Sequence, residues 1–309
     1  MLPTVSADQL IFSMSGEHPP VLTVDDGASV RFETCDCFAN QITAADQLLD
    51  GVDWNRINPA SGPVFVRGAE PGDTLRVHIR RIELADSAVL ATLPNLGVAG
   101  ARLNETRIDI VPVHDDHVVL FDRVRLPLNP MIGVIGTAPA GEAISCGVPD
   151  AHGGNMDSKI IAENTVLYLP VNVAGALLAI GDLHAAMGDG EVGVSGLEIS
   201  GAVEVSLKVI KGRPYPLPLA LTPTMLYTLA SHADLDTAAE QATLMMHDYL
   251  LAHTALDANQ AIGLQSIAGQ LEIGQVVDPN KTCRFGLPVS TLQQLSALPE
   301  PYPYEAANS

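Results

Sequence analysis

The stretch AVEVSLKVI, residues 202–210, sets Val203, Val205, Leu207 and Val209 in alternation with Glu204, Ser206 and Lys208. A two-residue period of this kind belongs to a strand with one face in a core and the other in water. The same period returns at Leu75, Val77 and Ile79 in DTLRVHI and at Ile108 and Ile110 in TRIDI. Turn-forming clusters separate these runs: PASGP at 59–63, EPGD at 70–73 and HDDH at 114–117. Short strands punctuated by turns predict a mainly β protein whose core is a multi-stranded β-sandwich or barrel.

The pattern changes after the proline-rich PYPLPLALTP, residues 214–223. Beyond it, Leu235, Ala238, Ala239, Ala242, Met245, Met246, Tyr249, Leu250 and His253 recur at helical spacing, with Asp234 or Asp236 available as the N-cap. A second helix is expected to open at Asp257, with Gln260 reaching back, and to close at Gly269. The chain therefore divides into a β-rich core over 1–220, carrying most of the site motifs, and a smaller helical segment with a tail over 221–309, packed on the same core. The proline-rich tail, ALPEPYPYEAANS, is expected either to pack on a neighbour or to hang loose.

Composition narrows the function. The 309 residues are 47% hydrophobic, enough for a sizeable core. Asp and Glu number 36 against 16 Lys and Arg, a net charge of −20 that repels nucleic acid and anionic lipid, so neither is expected as a partner. The first residues, MLPTVSADQLIFSMSG, lack the basic start and apolar run of a secretory signal. The most apolar stretch, VLYLPVNVAGALLAIG, is too short to span a bilayer and is broken by Pro170 and Asn172. A cytoplasmic location follows as the expectation. Cys35, Cys37, Cys146 and Cys283 show no CxxC spacing and read as reduced core thiols.

Four stretches break the strand pattern with polar chemistry. CDCFANQIT at 35–43 offers Asp36, Asn40 and Gln41; AGEAISCGVPDAHGGNMDSK at 140–159 offers Glu142, His152, Asn155, Asp157 and Lys159. GDLHAAMGDGEVGVSG at 181–196 holds Asp182, His184, Asp189 and Glu191; DPNKTCRFGLP at 278–288 reads as a turn with Lys281 and Arg284. The third follows directly on the apolar run. Asp182 and His184 thus stand where a buried strand emerges, and a carboxylate there must be paired, protonated or bound to a cation. The Asp-x-His spacing puts both side chains on one side of an extended segment, which suits a divalent metal. The competing reading of Asp189-Gly190 is a surface hairpin, and of Gly153-Gly154 a tight turn.

In order, NPASGPVFVRGAEPGDTLRV, MIGVIGTAPAGE, HGGNMDSK and LYLPVNVAGALLAIGDLHAAMGDGEV resemble the serial motifs of the acetamidase/formamidase family, with DCFANQI upstream and VVDPNKTCRFGLP downstream in keeping. The resemblance implies hydrolysis of a small aliphatic amide, such as formamide or acetamide, to carboxylate and ammonia by a mostly β protein that in at least some members binds a divalent metal. Amide hydrolysis needs an electrophile on the carbonyl oxygen, an activated water and a proton for the departing amine; for these, Asp36, Asp182 and His184 are expected to hold the metal, and Glu142 to be the general acid/base. Asn155 and Gln41 hold the amide, while Asp157, Asp189 and Glu191 are further ligands or supports for His184. Zinc is the favoured metal, calcium an alternative, and no organic cofactor is called for. Met187 departs from the Gln expected in the family's stretch, which predicts a more apolar pocket and a larger amide.

Three other readings compete. Cys146 with Glu142 and Lys159 offers a nucleophile, a base and a lysine, and Ser158-Lys159 a Ser-Lys pair, but neither has its usual sequence setting. Outside catalysis, the acidic loops suit a β-sandwich that binds calcium structurally. High apolar content and the proline-rich tail predict a homodimer or larger homo-oligomer.

Overall fold

A computed structural model describes residues 2–45, 47 and 51–304. Gly201–Ile210 lies inside a nine-stranded sheet, antiparallel to Ser29–Thr34 on one side and Thr74–Leu84 on the other. The sheet continues through Val166–Pro170, Leu219–Leu221, Met225–His232 and Lys281–Pro288 to Gln270–Gln275. As the alternation predicts, Val203, Val205 and Leu207 are buried while Lys208 is exposed.

The second sheet is built around Leu178–His184. Met131–Gly136 pairs with one side of that strand and Ala60–Val66 pairs with it as well, while Glu198–Ile199 joins its end and leads on to Ser87–Thr92 and Arg107–Pro112. The two sheets share one apolar core. Phe32, Leu75, Val77 and Val205 from the first meet Val64, Ile132, Leu178 and Ile180 from the second. Each such side chain contributes on the order of 1.5–3 kcal/mol when fully buried. The architecture is a β-sandwich.

A helical layer covers the outer face of the first sheet. Val166–Pro170 shows why: Leu167 and Leu169 face the inter-sheet core, whereas Val166 and Tyr168 join a second apolar cluster. Helix α1, Leu235–His253, lays Ala238, Ala242, Met246, Tyr249 and Leu250 into that cluster. The Asp234 carboxylate caps α1 by accepting from the Thr237 amide at 2.8 Å, and Asp257 and Gln260 form the expected capping box of α2, Ala258–Ala268. A short α3, Val289–Gln294, follows the last strand.

The stretch 278–288, expected as a turn, is mostly strand: Lys281–Pro288 pairs on both sides, with Met225–His232 and Gln270–Gln275. Thr282, Cys283, Arg284, Phe285 and Leu287 are all buried, so the strand carries no alternation to read. The segment 221–309 thus supplies three strands of the first sheet in addition to its helices. Tyr302 and Tyr304 pack on the second cluster, and the Tyr304 hydroxyl donates to the Leu221 and Asn164 carbonyls, so the tail folds back on its own chain as far as residue 304. Residues 305–309 of that tail lie outside the described residues. No described helix is long and apolar enough to cross a membrane.

Candidate active site

Leu178–His184 starts in the apolar core at Leu178 and Ile180 and ends in an acidic cluster at Asp182 and His184. Beside it, Met131–Gly136 pairs Ile132 with Leu183 and brings Gly133 against two carboxylates. A β-carbon at Gly133 would stand 2.3 Å from Asp157 Oδ1 and 2.7 Å from Asp182 Oδ2, so only glycine leaves room for both. Asp157 arrives from the turn after Gly153–Asn155, and Glu191 from the loop after Leu178–His184. Asp157, Asp182 and Glu191 all have left-handed backbones, with φ of 38°, 54° and 44°. That loop is no free hairpin: Gly190 exchanges hydrogen bonds with Gly274 and Val276 at 2.7 and 3.1 Å.

His184 is the centre. Its Nε2 lies 3.2 Å from Glu198 Oε2, 3.5 Å from Asp182 Oδ1 and 3.8 Å from Asp157 Oδ1, and all four side chains are buried. None of those three oxygens makes a well-directed hydrogen bond, nor does Asn155 Oδ1. Cys37, Asp182 and Glu198 offer ligand atoms within 4.8 Å of one another, as do Asp157, His184 and Glu191. Asp278 completes the acids, its Oδ2 accepting from Asn155 Nδ2 at 2.9 Å.

The electrostatics follow from crowding in a low-dielectric site. Burial pushes Asp157 and Asp278 well above the carboxylate range, with neighbouring acids adding to the effect. Burial likewise raises Asp182 to about 6 and Glu191 to about 8. At His184 burial works downward, but the Glu198 and Asp182 carboxylates outweigh it and hold the imidazole well above its ordinary value. One imidazole cannot balance five carboxylates away from water, so the cluster must take up protons or a cation.

Asn155, Asp157, Asp182, Glu191, Glu198 and Asp278 line the floor of a cavity of about 330 Å³. The model of the acetamidase/formamidase family matches residues 14–146 and 141–294, which include every residue of the cluster. The chain belongs to the acetamidase/formamidase family. It is similar to the crystal structure of an acetamidase from Bacillus halodurans, at 47% identity and a TM-score of 0.93 over 94% of this chain and 99% of that one. A predicted acetamidase/formamidase from Thermoanaerobacter tengcongensis gives 47% identity and a TM-score of 0.94 over 96% and 99%. The formamidase of Methylophilus methylotrophus is 24% identical over 297 residues, 74% of this chain and 73% of its own. A Schizosaccharomyces pombe protein with a formamidase name is 27% identical over 264 residues and matches over 63% of its own length and 63% of this chain.

In this acetamidase/formamidase family member, the residues singled out from sequence separate into two groups. Asn155, Asp157, Asp182, His184 and Glu191 come together in the cluster. Asp36 sits behind it: its Oδ1 accepts from the Asn40 amide at 2.7 Å, burial raises it to about 6, and its neighbour Cys37 takes the place beside Asp182 and Glu198. Gln41 is occupied elsewhere, accepting from the Asp53 amide at 2.8 Å and donating to the Asp53 carbonyl at 3.3 Å. Glu142 is exposed on a turn and does not line the cavity. Asp189 points away from His184 into ion pairs with Arg284 and Lys159, each 2.8 Å. Met187 lines an adjoining apolar hollow instead of the cavity that holds the acids. Cys146 is buried off the cavity, its thiol pushed up to about 12, and the Ser158 hydroxyl is taken by Arg284.

Three cluster residues escaped the sequence reading. Glu198 had a signal, a carboxylate between Leu197 and Ile199 in an apolar setting. Cys37 looked like any small core residue. Asp278 lies far along the chain from Asn155, and nothing local joins them.

Proposed function

We propose that this family member hydrolyses a carboxamide to a carboxylate and ammonia at the His184 cluster, with a divalent cation held there. The observation that carries the proposal is the set of buried, unpartnered oxygens of Asp157, Asp182 and Glu198 around His184 Nε2, opening onto a cavity. A donor set of imidazole and carboxylates, with the Cys37 thiol adjacent, fits such an ion and favours zinc over calcium, which prefers oxygen alone. What the cation supplies when bound is Lewis acidity towards a carbonyl oxygen and towards water.

The chain's own residues do the rest. Asn155 is anchored through its Nδ2 to Asp278, which leaves Oδ1 free to accept from the amide N–H. Glu191, at the cavity floor beside Asp157 and His184, replaces Glu142 as the general acid/base in this reading, because it lines the cavity that Glu142 does not reach. In the reaction the oxygen of water bonds to the carbonyl carbon and the carbon–nitrogen bond breaks. Glu191 relays a proton from that water to the departing nitrogen, which leaves as ammonia. Val119, Phe121, Val124 and Leu126 are exposed on the hairpin of residues 117–127, which supports a homo-oligomer, testable by light scattering.

The test is an ammonia assay beside elemental analysis. Purified protein is expected to contain a divalent metal, to release ammonia from simple amides, to lose that activity on chelation and to regain it with zinc. Bound metal without amide turnover would instead support a structural cation site in a non-catalytic sandwich. Turnover without metal, abolished by Cys146→Ala, would overturn the metal reading.

A further inference from the structure

The cavity above the acids has more room, and more apolar wall, than formamide or acetamide would fill. At about 330 Å³ it falls among pockets that enclose ligands much larger than a four-atom amide. A water takes roughly 30 Å³ in the liquid, so acetamide would leave most of the space wet. Above the acidic floor the walls include Phe38, Trp54, Ile57, Leu93, Leu96 and Val194, with Asn58, Ser145 and Ser195 as the polar side chains among them. Trp54 and Leu96 are each 44% exposed, two large apolar side chains at the rim of a polar site. Apolar surface gathered at a pocket rim marks a place where a ligand covers it.

Charge narrows the occupant further. Asp157, Asp182, Glu191, Glu198 and Asp278 line the cavity, and among the described residues no Lys or Arg does. Arg284 and Lys159, the nearby cations, are engaged by Asp189. An amide carrying its own carboxylate at the far end would place that charge among the apolar walls, away from the cation on the floor, and would find no partner there.

We infer that the substrate is a neutral primary carboxamide with an apolar substituent of about five to eight carbons, aryl or branched, its amide on the acidic floor and its substituent between Trp54 and Leu96. This rests on the amide-hydrolase reading above, from which it differs in assigning the substituent. Shape and polarity agree: the site is polar at one end and apolar at the other, and so is such an amide.

The experiment measures kcat/KM by ammonia release for acetamide, butyramide, hexanamide, phenylacetamide and the anionic succinamate. Binding of acetamide and phenylacetamide to the same metal-loaded protein is followed by calorimetry. Each added methylene is expected to raise kcat/KM by roughly 3–4-fold while it is being buried. Phenylacetamide should exceed acetamide at least tenfold, and succinamate should fall at least tenfold below butyramide. Trp54→Ala should lower kcat/KM for phenylacetamide about tenfold more than for acetamide, whereas a general folding defect would lower both alike. If no amide is hydrolysed but phenylacetamide binds where acetamide does not, the pocket assignment stands and the hydrolase reading fails. If acetamide is turned over as well as phenylacetamide, or if phenylacetamide neither binds nor reacts, the assignment is overturned.

Discussion

Around Arg284, one buried guanidinium meets two carboxylates; around His184, one imidazole shares a cluster with five. Arg284 donates to Asp189 at 2.8 Å, to Glu272 at 2.7 Å and to Ser158 Oγ at 3.1 Å, and Lys159 adds a second cation on Asp189 at 2.8 Å. That cluster is charge-balanced by its own side chains. The His184 cluster is not, and its oxygens at Asp157, Asp182 and Glu198 lack hydrogen-bond partners. Yet both draw on the same segments: 157–159 sends Asp157 to one and Ser158 and Lys159 to the other, while 189–191 sends Glu191 to one and Asp189 to the other. What separates the strut from the proposed reactive site is charge balance, and neighbouring positions in sequence fall on opposite sides of it.

His184→Ala tests the comparison with the largest expected effect. It removes the cluster's imidazole, so metal content and turnover should fall together, turnover by roughly 10²-fold or more. Elemental analysis with an ammonia assay checks this, and full activity in the variant would break the distinction. Glu142→Gln, on an exposed turn, should stay within about twofold of wild type in the same assay.

Gly133→Ala acts one step back. Its β-carbon would displace the Asp157 and Asp182 carboxylates, so turnover should fall about 10–100-fold, with a stability loss of about 1–3 kcal/mol from overpacking. Kinetics beside a urea melt separate the two effects, and unchanged kinetics would mean that the carboxylate positions do not matter.

Arg284→Met should do the reverse. Breaking a fully buried ion pair costs about 3–5 kcal/mol, but Asp189 and Glu272 are 32% and 31% exposed and can recover water, so about 2 kcal/mol is expected. Bound metal per folded chain should not change. Loss of metal at unchanged stability would show that the two clusters are not separable.

The smallest effect sharpens the contrast between two buried histidines. At His78, burial together with Arg80 and Arg76 lowers the pKa from 6.5 to about 4, the opposite of His184 among its carboxylates. A histidine held neutral in the fold contributes fully above pH 6.5. That contribution is lost as pH falls from 6.5 towards 4, because the unfolded chain then binds the extra proton. Denaturant melts across that window should show stability falling less steeply with falling pH in His78→Phe than in wild type, whatever slope Asp36 and Asp182, raised to about 6, add to both; equal slopes would assign the pH dependence to other groups.

Much of this was legible in the sequence because burial on one face writes a period into the chain. AVEVSLKVI and DTLRVHI gave strands, and Asp234, Asp257 and Gln260 gave helix starts. Lys281–Pro288, buried on both faces, carried no period and passed for a turn. At the site, GGNMD and GDLHAAMGDGE pointed to Asn155, Asp157, Asp182, His184 and Glu191, the residues the fold gathers. Asp189 was read with them, since the guanidinium that claims it stands 95 positions away. Glu142 and Gln41 were read from residue type alone, and neither exposure nor a competing backbone partner is written locally.

The left-handed backbones at Asp157, Asp182 and Glu191 have an evolutionary consequence. A residue with a β-carbon gives up on the order of 1 kcal/mol to sit there, and glycine would not. Replacing any of the three with glycine would also remove a like charge from the crowd. Selection for heat tolerance alone would therefore erode these acids first, leaving a sturdier sandwich with its chemistry gone. At these three positions the fold forgoes stability that glycine would return, and holds three carboxylates in the cluster instead.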